Sequence, residues 1–300
     1  AATRREARHR VAIGCPCGPS RAADLACIGS LTLDTQTPLE NPLGPYSSMM
    51  LSVRQLIEFG TEGFIVVRGL VPEALLAAAD QEIDELLEAE PCPEDVRGKQ
   101  FYFKSPSTVV AADATLRDSA AMDLAEQLVA PHRLVHAYGH IQVALNVPPF
   151  DHRPDGPHLD GYHDPERPHP FTMLVGIFLS DETTFDAGNL WVWPRSHVDH
   201  VDLFARKGTN ALMPTWGHST LLDPPVRLHE PIAVRAGRGD VLFAQYLLGH
   251  NSGGNLTDRT RRILYYRLSS EDHESHWARA LTDPLYEYAP VANAVRGGIE

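Results

Sequence analysis

The chain has 300 residues, 43% of them hydrophobic, with 26 Lys and Arg against 39 Asp and Glu and a formal net charge of −13. That length and apolar content suffice for one large packed domain, and the acidic balance argues against a nucleic-acid surface. No run of 18 apolar residues occurs, so no membrane-spanning segment is expected.

Residues 1–48 differ from the rest of the chain. Arg4, Arg5, Arg8, Arg10 and Arg21 outnumber Glu6 and Asp24, and Gly, Pro and Ser interrupt every potential helix. A transit peptide has this composition, but the reading adopted is a disordered tail or upstream sequence ahead of a single domain over 49–300, which opens at Met49 or Met50. Cys15, Cys17, Cys27 and Cys92 lack the paired spacing of a zinc site and read as reduced thiols of a cytoplasmic protein.

From residue 51 a short helix capped by Ser52 is expected through Phe59, broken by Gly60 to Gly63 and followed by a strand at Phe64–Val67. Pro72 then opens a longer helix. Leu75, Leu76, Ala79, Ile83, Leu86 and Leu87 keep helical spacing, while Glu73, Asp80, Glu82, Asp84 and Glu85 are expected on a solvated face. A strand is expected over 101–104, a helix near 119–130 and an extended stretch over 133–147. Within that stretch Ile141, Val143, Leu145 and Val147 alternate with Gln142, Ala144 and Asn146. The polar set faces either solvent or the floor of a ligand pocket. Short strand-like runs come next at 171–179, 190–193, 232–234, 241–246 and 263–268, separated by Gly, Pro and Asp. Many short strands without regular intervening helices indicate an antiparallel sandwich or jelly roll.

The chemistry concentrates at Pro157-His158-Leu159-Asp160-Gly161. Positions i and i+2 of a strand share a face, so His158 and Asp160 can grip one metal ion together. With 15 histidines in the chain, roughly one H-x-D is expected by chance. Two further copies, His197/Asp199 and His200/Asp202, follow Trp193-Pro194-Arg195 and read as a solvated polar segment. His250 lies just beyond a strand and is flanked by glycines, which suits a third ligand. Two histidines and one carboxylate form the facial triad of non-haem Fe(II) oxygenases. Arg261, at the start of the next strand, offers a planar fork for a carboxylate, whereas Arg259 reads as a surface charge.

With these residues in place, the chain resembles the phytanoyl-CoA dioxygenase family of Fe(II)- and 2-oxoglutarate-dependent oxygenases, which includes ectoine hydroxylase. The resemblance covers about residues 51–268: His158-x-Asp160, His250 with Arg261 eleven positions on, Gly63 to Leu70, Leu179-Ser180-Asp181, and Gly188-Asn189-Leu190 through Pro194-Arg195-Ser196-His197. It implies a mainly β fold with flanking helices (α+β), a double-stranded β-helix or jelly roll of cupin type. His158, Asp160 and His250 would be the iron ligands and Arg261 the anchor for 2-oxoglutarate. Gln142 and Asn146 match a Q-x-x-x-N strand that lines the pocket in the ectoine hydroxylase branch, and Lys104 stands about where some members use a lysine for the cosubstrate. The implied activity consumes 2-oxoglutarate and O2 and hydroxylates, or otherwise oxidises, an unactivated C–H bond of a small molecule, releasing succinate and CO2. Arg195 replaces the family's glycine before Ser-His, and Gly176 stands where some members carry a bulky ring. An alternative from another class is a cupin-like metal-binding or sensing protein that holds Zn2+ or Ni2+ without oxygen chemistry. It would leave Arg261 without a role.

Overall fold

The computed structural model describes residues 49–91, 100–102, 104–144, 153–154, 156–160, 171–214, 219–222 and 225–298; at 100–102, 136–144, 213–214 and 219–220 only the backbone is described. In chain order the described helices are α1 (Val53–Glu62), α2 (Glu73–Ala89), α3 (Val110–Arg117), α4 (Ala121–Val129), α5 (Ser196–Asp199), α6 (Val201–Lys207), α7 (His273–Ala280) and α8 (Ala289–Gly297). The strands are β1 (Phe64–Val67), β2 (Gln100–Tyr102), β3 (Leu134–Ala144), β4 (Leu159–Asp160), β5 (Met173–Phe178), β6 (Leu190–Val192), β7 (Leu212–Pro214), β8 (Ser219–Leu222), β9 (Ile232–Ala233), β10 (Val241–Gln245), β11 (His250–Ser252) and β12 (Arg261–Ser270). None of these helices is long and apolar enough to cross a membrane.

Ser52 and Gln55 close a reciprocal capping box at the start of α1. The helix continues through Gly60, where a break was expected, and ends at Gly63, which takes φ 88°. Close helix packing accounts for this: a Cβ on Gly60 would lie 2.6 and 2.7 Å from the side chains of Val295 and Val291 in α8. In α2, Leu76, Ala79 and Ile83 are buried at helical spacing as expected. Its acidic face, however, is not simply solvated. Asp80 pairs with Arg238 at 2.6 Å and with Arg262 at 3.2 Å, Glu73 holds Arg238 at 2.9 Å, and Asp84 holds Arg262 at 2.5 Å. Glu82 accepts from the backbone N–H groups of Val110 and Ala111 at the start of α3.

The main sheet has six antiparallel strands in the order β1-β10-β5-β12-β3-β2. Its residues alternate between two cores. Ile65, Val175, Phe243, Leu264 and Tyr266 pack outward under α2, α3, α4 and α8, while Leu174, Phe178, Leu242, Ile263 and Tyr265 pack inward. Opposite the inward face stand two small sheets, β11-β6-β9 and β4-β8-β7, joined by an antiparallel bridge between His158 and His250. The result is the expected jelly roll with helices on one side. Strands β1, β5, β6, β9, β10 and β12 coincide with the expected strand-like runs, but β4 and β11 are too short to show a period of two. The segment after Pro194 is also not simply solvated: it forms α5 and α6, with His197 and His200 buried.

Candidate metal centre

The jelly roll brings His158 and His250 together by direct backbone pairing. His158 N–H donates to His250 O at 3.0 Å, and His250 N–H returns a bond to His158 O at 3.2 Å. The start of α5 at Ser196, with Trp193 before it, secures the approach to His250, because Gly249 N–H donates to Ser196 Oγ at 2.7 Å and Trp193 N–H donates to Gly249 O at 2.9 Å. His197 is part of this brace. Its Nε2 lies 3.2 Å from Gly60 O in α1, and burial lowers its pKa to about 4.

Asp160 Oδ1 lies 3.2 Å from His158 Nε2 and 3.4 Å from His250 Nε2, and all three residues are at most sparingly exposed. His250 Nδ1 lies 2.9 Å from Leu248 O, which calls for an Nδ1–H tautomer and leaves the Nε2 lone pair directed at the carboxylate. Burial pushes Asp160 up, but the charge of Arg267 and the neighbouring imidazoles hold it well below the usual carboxylate range. Burial likewise lowers His158. An ionised carboxylate and two imidazole nitrogens converging on one point are the donor set of a 2-His-1-carboxylate iron site, so the residues present fit such an ion.

Arg261 begins β12 on the inward face and is 1% exposed; the next residue, Arg262, turns outward to Asp80 and Asp84. Arg261 Nε lies 2.9 Å from Glu182 Oε2, and its Nη2 donates to Tyr265 Oη at 3.0 Å. Burial pushes Glu182 up to about 7 against the pull of Arg261. Gly188, at φ 80°, admits the arginine: a Cβ there would lie 2.9 Å from Arg261 Cδ. Gly176 stands opposite Tyr265 across β5 and β12, and a Cβ on it would meet the Tyr265 ring at 3.3 Å. Tyr265 thus occupies space that a ring at position 176 would need.

The remaining expected residues are Gln142, Asn146 and Lys104. Gln142 lies opposite Ile263 in the register of β3 with β12, and Asn146 lies outside the described residues. Lys104 is 41% exposed at its side chain, with Nζ 2.9 Å from Glu90 Oε1. It is at the surface, paired with a residue of the same surface, and is not brought to the triad. Neither Glu182 nor Arg267 was singled out from the sequence. The available signal was that Arg261 and Arg267 interrupt the inward alternation carried by Ile263 and Tyr265, and a buried charge demands a partner. A cavity of about 480 Å³ reaches His158, but Pro157, Leu159, Gly249 and Asn251 also line it. These alternate with the triad along the chain, which puts the cavity behind the small sheets rather than over the carboxylate.

Residues 59–263 match the phytanoyl-CoA dioxygenase (PhyH) family. No curated protein sequence matches the chain. Similar solved structures include the non-heme alpha ketoglutarate dependent carbocyclase SnoK from nogalamycin biosynthesis, at 18% identity and TM-score 0.55 over 77% of this chain and 93% of that one. Another is the epimerase SnoN in complex with Fe3+, alpha ketoglutarate and nogalamycin RO, at 18% identity and TM-score 0.53 over 72% of this chain and 82% of that one. A third is HygX from Streptomyces hygroscopicus with nickel and 2-oxoglutarate bound, at 17% identity and TM-score 0.51 over 74% of this chain and 88% of that one. At these identities the likeness is one of fold, and it agrees with the jelly roll formed by the strands of this chain.

Proposed function

The chain belongs to the phytanoyl-CoA dioxygenase family, and on that premise we propose that His158, Asp160 and His250 hold an Fe(II) ion while Arg261 receives the far carboxylate of 2-oxoglutarate. The observation that carries this reading is the convergence of Asp160 Oδ1 with the Nε2 atoms of His158 and His250. When bound, iron and 2-oxoglutarate supply the oxidising chemistry, in which O2 and the cosubstrate yield succinate and CO2 as a C–H bond of a small-molecule substrate is oxidised. SnoK and SnoN are named as a carbocyclase and an epimerase, so hydroxylation is the simplest of several outcomes open to such an enzyme.

The protein's own contribution is placement and exclusion of water. The paired backbones of His158 and His250 fix both imidazoles, and the carbonyl of Leu248 fixes the proton on His250 Nδ1. Asp160 supplies an anionic oxygen already ionised at neutral pH. Arg261 provides a guanidinium inside the β-structure, where an incoming carboxylate would be desolvated and a charge-assisted pair is strong.

Anaerobic titration of the Fe(II) protein with 2-oxoglutarate tests this reading. A metal-to-ligand charge-transfer band should develop in the visible, and His158→Ala, Asp160→Ala or His250→Ala should each remove both bound iron and the band. His197→Ala should retain iron stoichiometry, because its ring faces Gly60 O. A wild-type protein that binds metal but shows no band with 2-oxoglutarate would instead be a metal-holding or sensing protein.

A further inference from the structure

The carboxylate of Asp160 is divided between two environments. Its Oδ1 faces the two histidines, while its Oδ2 accepts from Arg267 Nε at 2.9 Å and from Arg267 Nη2 as well. Arg267 lies on β12, on the same inward face as Arg261, Ile263 and Tyr265, and its side chain is 6% exposed. Its guanidinium carbon sits 5.9 Å from the Phe171 ring and 6.0 Å from the Tyr265 ring. Two aromatic walls and a two-donor grip on one oxygen leave the fork little freedom.

We propose that Arg267 is a positioning residue that makes Asp160 a one-oxygen ligand. With Oδ2 held by the guanidinium, only Oδ1 is presented alongside the imidazoles, so the protein offers three donor atoms rather than four. A carboxylate free to turn would offer both oxygens and take a coordination position that cosubstrate or O2 requires. The arrangement also sets the charge of the centre. Arg267 offsets Asp160, so a divalent ion there keeps more of its charge uncompensated by protein and is matched by a dianionic cosubstrate. This inference rests on the assignment of His158, Asp160 and His250 as metal ligands.

The rival explanation is that Arg267 merely stands in for the metal as a counter-charge. The two make opposite predictions for Co(II), whose visible absorption reports coordination number. If Arg267 positions Asp160, the spectrum of Arg267→Leu at saturating Co(II) should change, because the carboxylate gains a second free oxygen, while Arg267→Lys should keep a wild-type-like spectrum. If Arg267 is only a counter-charge, Arg267→Leu should bind Co(II) more tightly with an unchanged spectrum, and an unchanged spectrum at saturation would overturn the inference. Should Arg267→Leu fail to fold by circular dichroism, Arg267→Gln carries the test: a changed spectrum supports the proposal, and a wild-type spectrum sinks it. His158→Ala is measured alongside. If wild type binds no Co(II), or His158→Ala binds it equally well, the metal-centre reading itself fails; if both behave as expected and only the Arg267 variants match wild type, this inference alone fails.

Discussion

Arg195 adopts φ 67° and ψ −5°, the left-handed region, immediately before α5. A residue with a side chain is strained there by roughly 1–2 kcal/mol, and glycine is not. This is the physical content of the family's glycine at that position. Arg195→Gly should therefore raise stability, by about 1 kcal/mol after the greater unfolded-state freedom of glycine is subtracted, as measured by urea unfolding. Arg261 invites a sharper test, since its guanidinium serves Glu182 now and the cosubstrate carboxylate under the proposal. Arg261→Ala should weaken 2-oxoglutarate binding by roughly 30- to several-thousand-fold, the range of 2–5 kcal/mol seen when one member of a buried charge pair is removed. It should also destabilise the fold, because Glu182 is left alone. Adding Glu182→Gln to Arg261→Ala should recover much of the stability but none of the 2-oxoglutarate affinity. Arg262→Ala, whose side chain points to Asp80 and Asp84, should leave cosubstrate binding unchanged. Recovery of cosubstrate binding in the double variant, read by calorimetry, would remove Arg261 from the cosubstrate site.

Among the elements, α2 shows how a charged face can serve the fold. Its apolar stripe of Leu76, Ala79 and Ile83 lies against the sheet, and each large side chain buried there is worth roughly 1.5–3 kcal/mol. Around that stripe Asp80 bridges Arg238 and Arg262, which rise from the loop before β10 and from β12. An isolated surface pair contributes little, but one carboxylate shared by two half-shielded guanidinium groups forms a network. Asp80→Ala should cost about 1–2 kcal/mol in urea unfolding, and Glu85→Ala, outside that network, should stay within about 0.5 kcal/mol. Equal effects at the two positions would mean that the network adds nothing beyond the helix itself. The acidic residues of α2 could not be sorted from the sequence. Asp80 and Glu85 are equivalent to a periodicity argument, and only the sheet beneath them supplies the arginines.

For the whole molecule, the buried histidines and Glu287 give acid sensitivity a definite sign. Burial lowers His197 and His200 to about 4. Each binds its proton less readily folded than unfolded, so the stability tied to its neutral form is fully present above about pH 6.5 and is lost as pH falls towards 4, by up to about 3 kcal/mol per histidine. Burial pushes Glu287 up, but hydrogen bonds from His273, Ser270 and His276 and the charge of His273 outweigh it and bring the carboxyl down to about 2. Its contribution is present above the ordinary carboxylate pKa and is lost as pH falls from about 4.5 to 2. Glu287 also accepts from Thr172 Oγ1 at 2.9 Å, so it ties the segment before α8 to the start of β5 and the end of β12. Stability should therefore drop mainly between pH 6.5 and 4, with a second loss below. A combined His197→Gln and His200→Gln variant should be less stable at pH 7 but show a flatter profile across the first window. A slope in that variant as steep as wild type would assign the first loss to other groups.

The sequence by itself determined the fold class, through many short strand-like runs separated by Gly, Pro and Asp, and it offered the candidate metal ligands, through three H-x-D copies and a glycine-flanked histidine with an arginine eleven positions on. These signals are local, and a strand or a motif a few residues long carries its own pattern. Only the tertiary structure decided which H-x-D enters the β-structure: the bridge between His158 and His250 spans 92 positions, whereas His197 is buried as a brace against α1. It alone gave Asp160 its second partner, 107 residues away, Arg261 its glutamate and Glu287 its histidines. A charged residue on an apolar strand face announces that it needs a partner, because an unpaired buried charge is too costly to keep. Which partner it finds depends on how distant segments cross, and no local pattern records that.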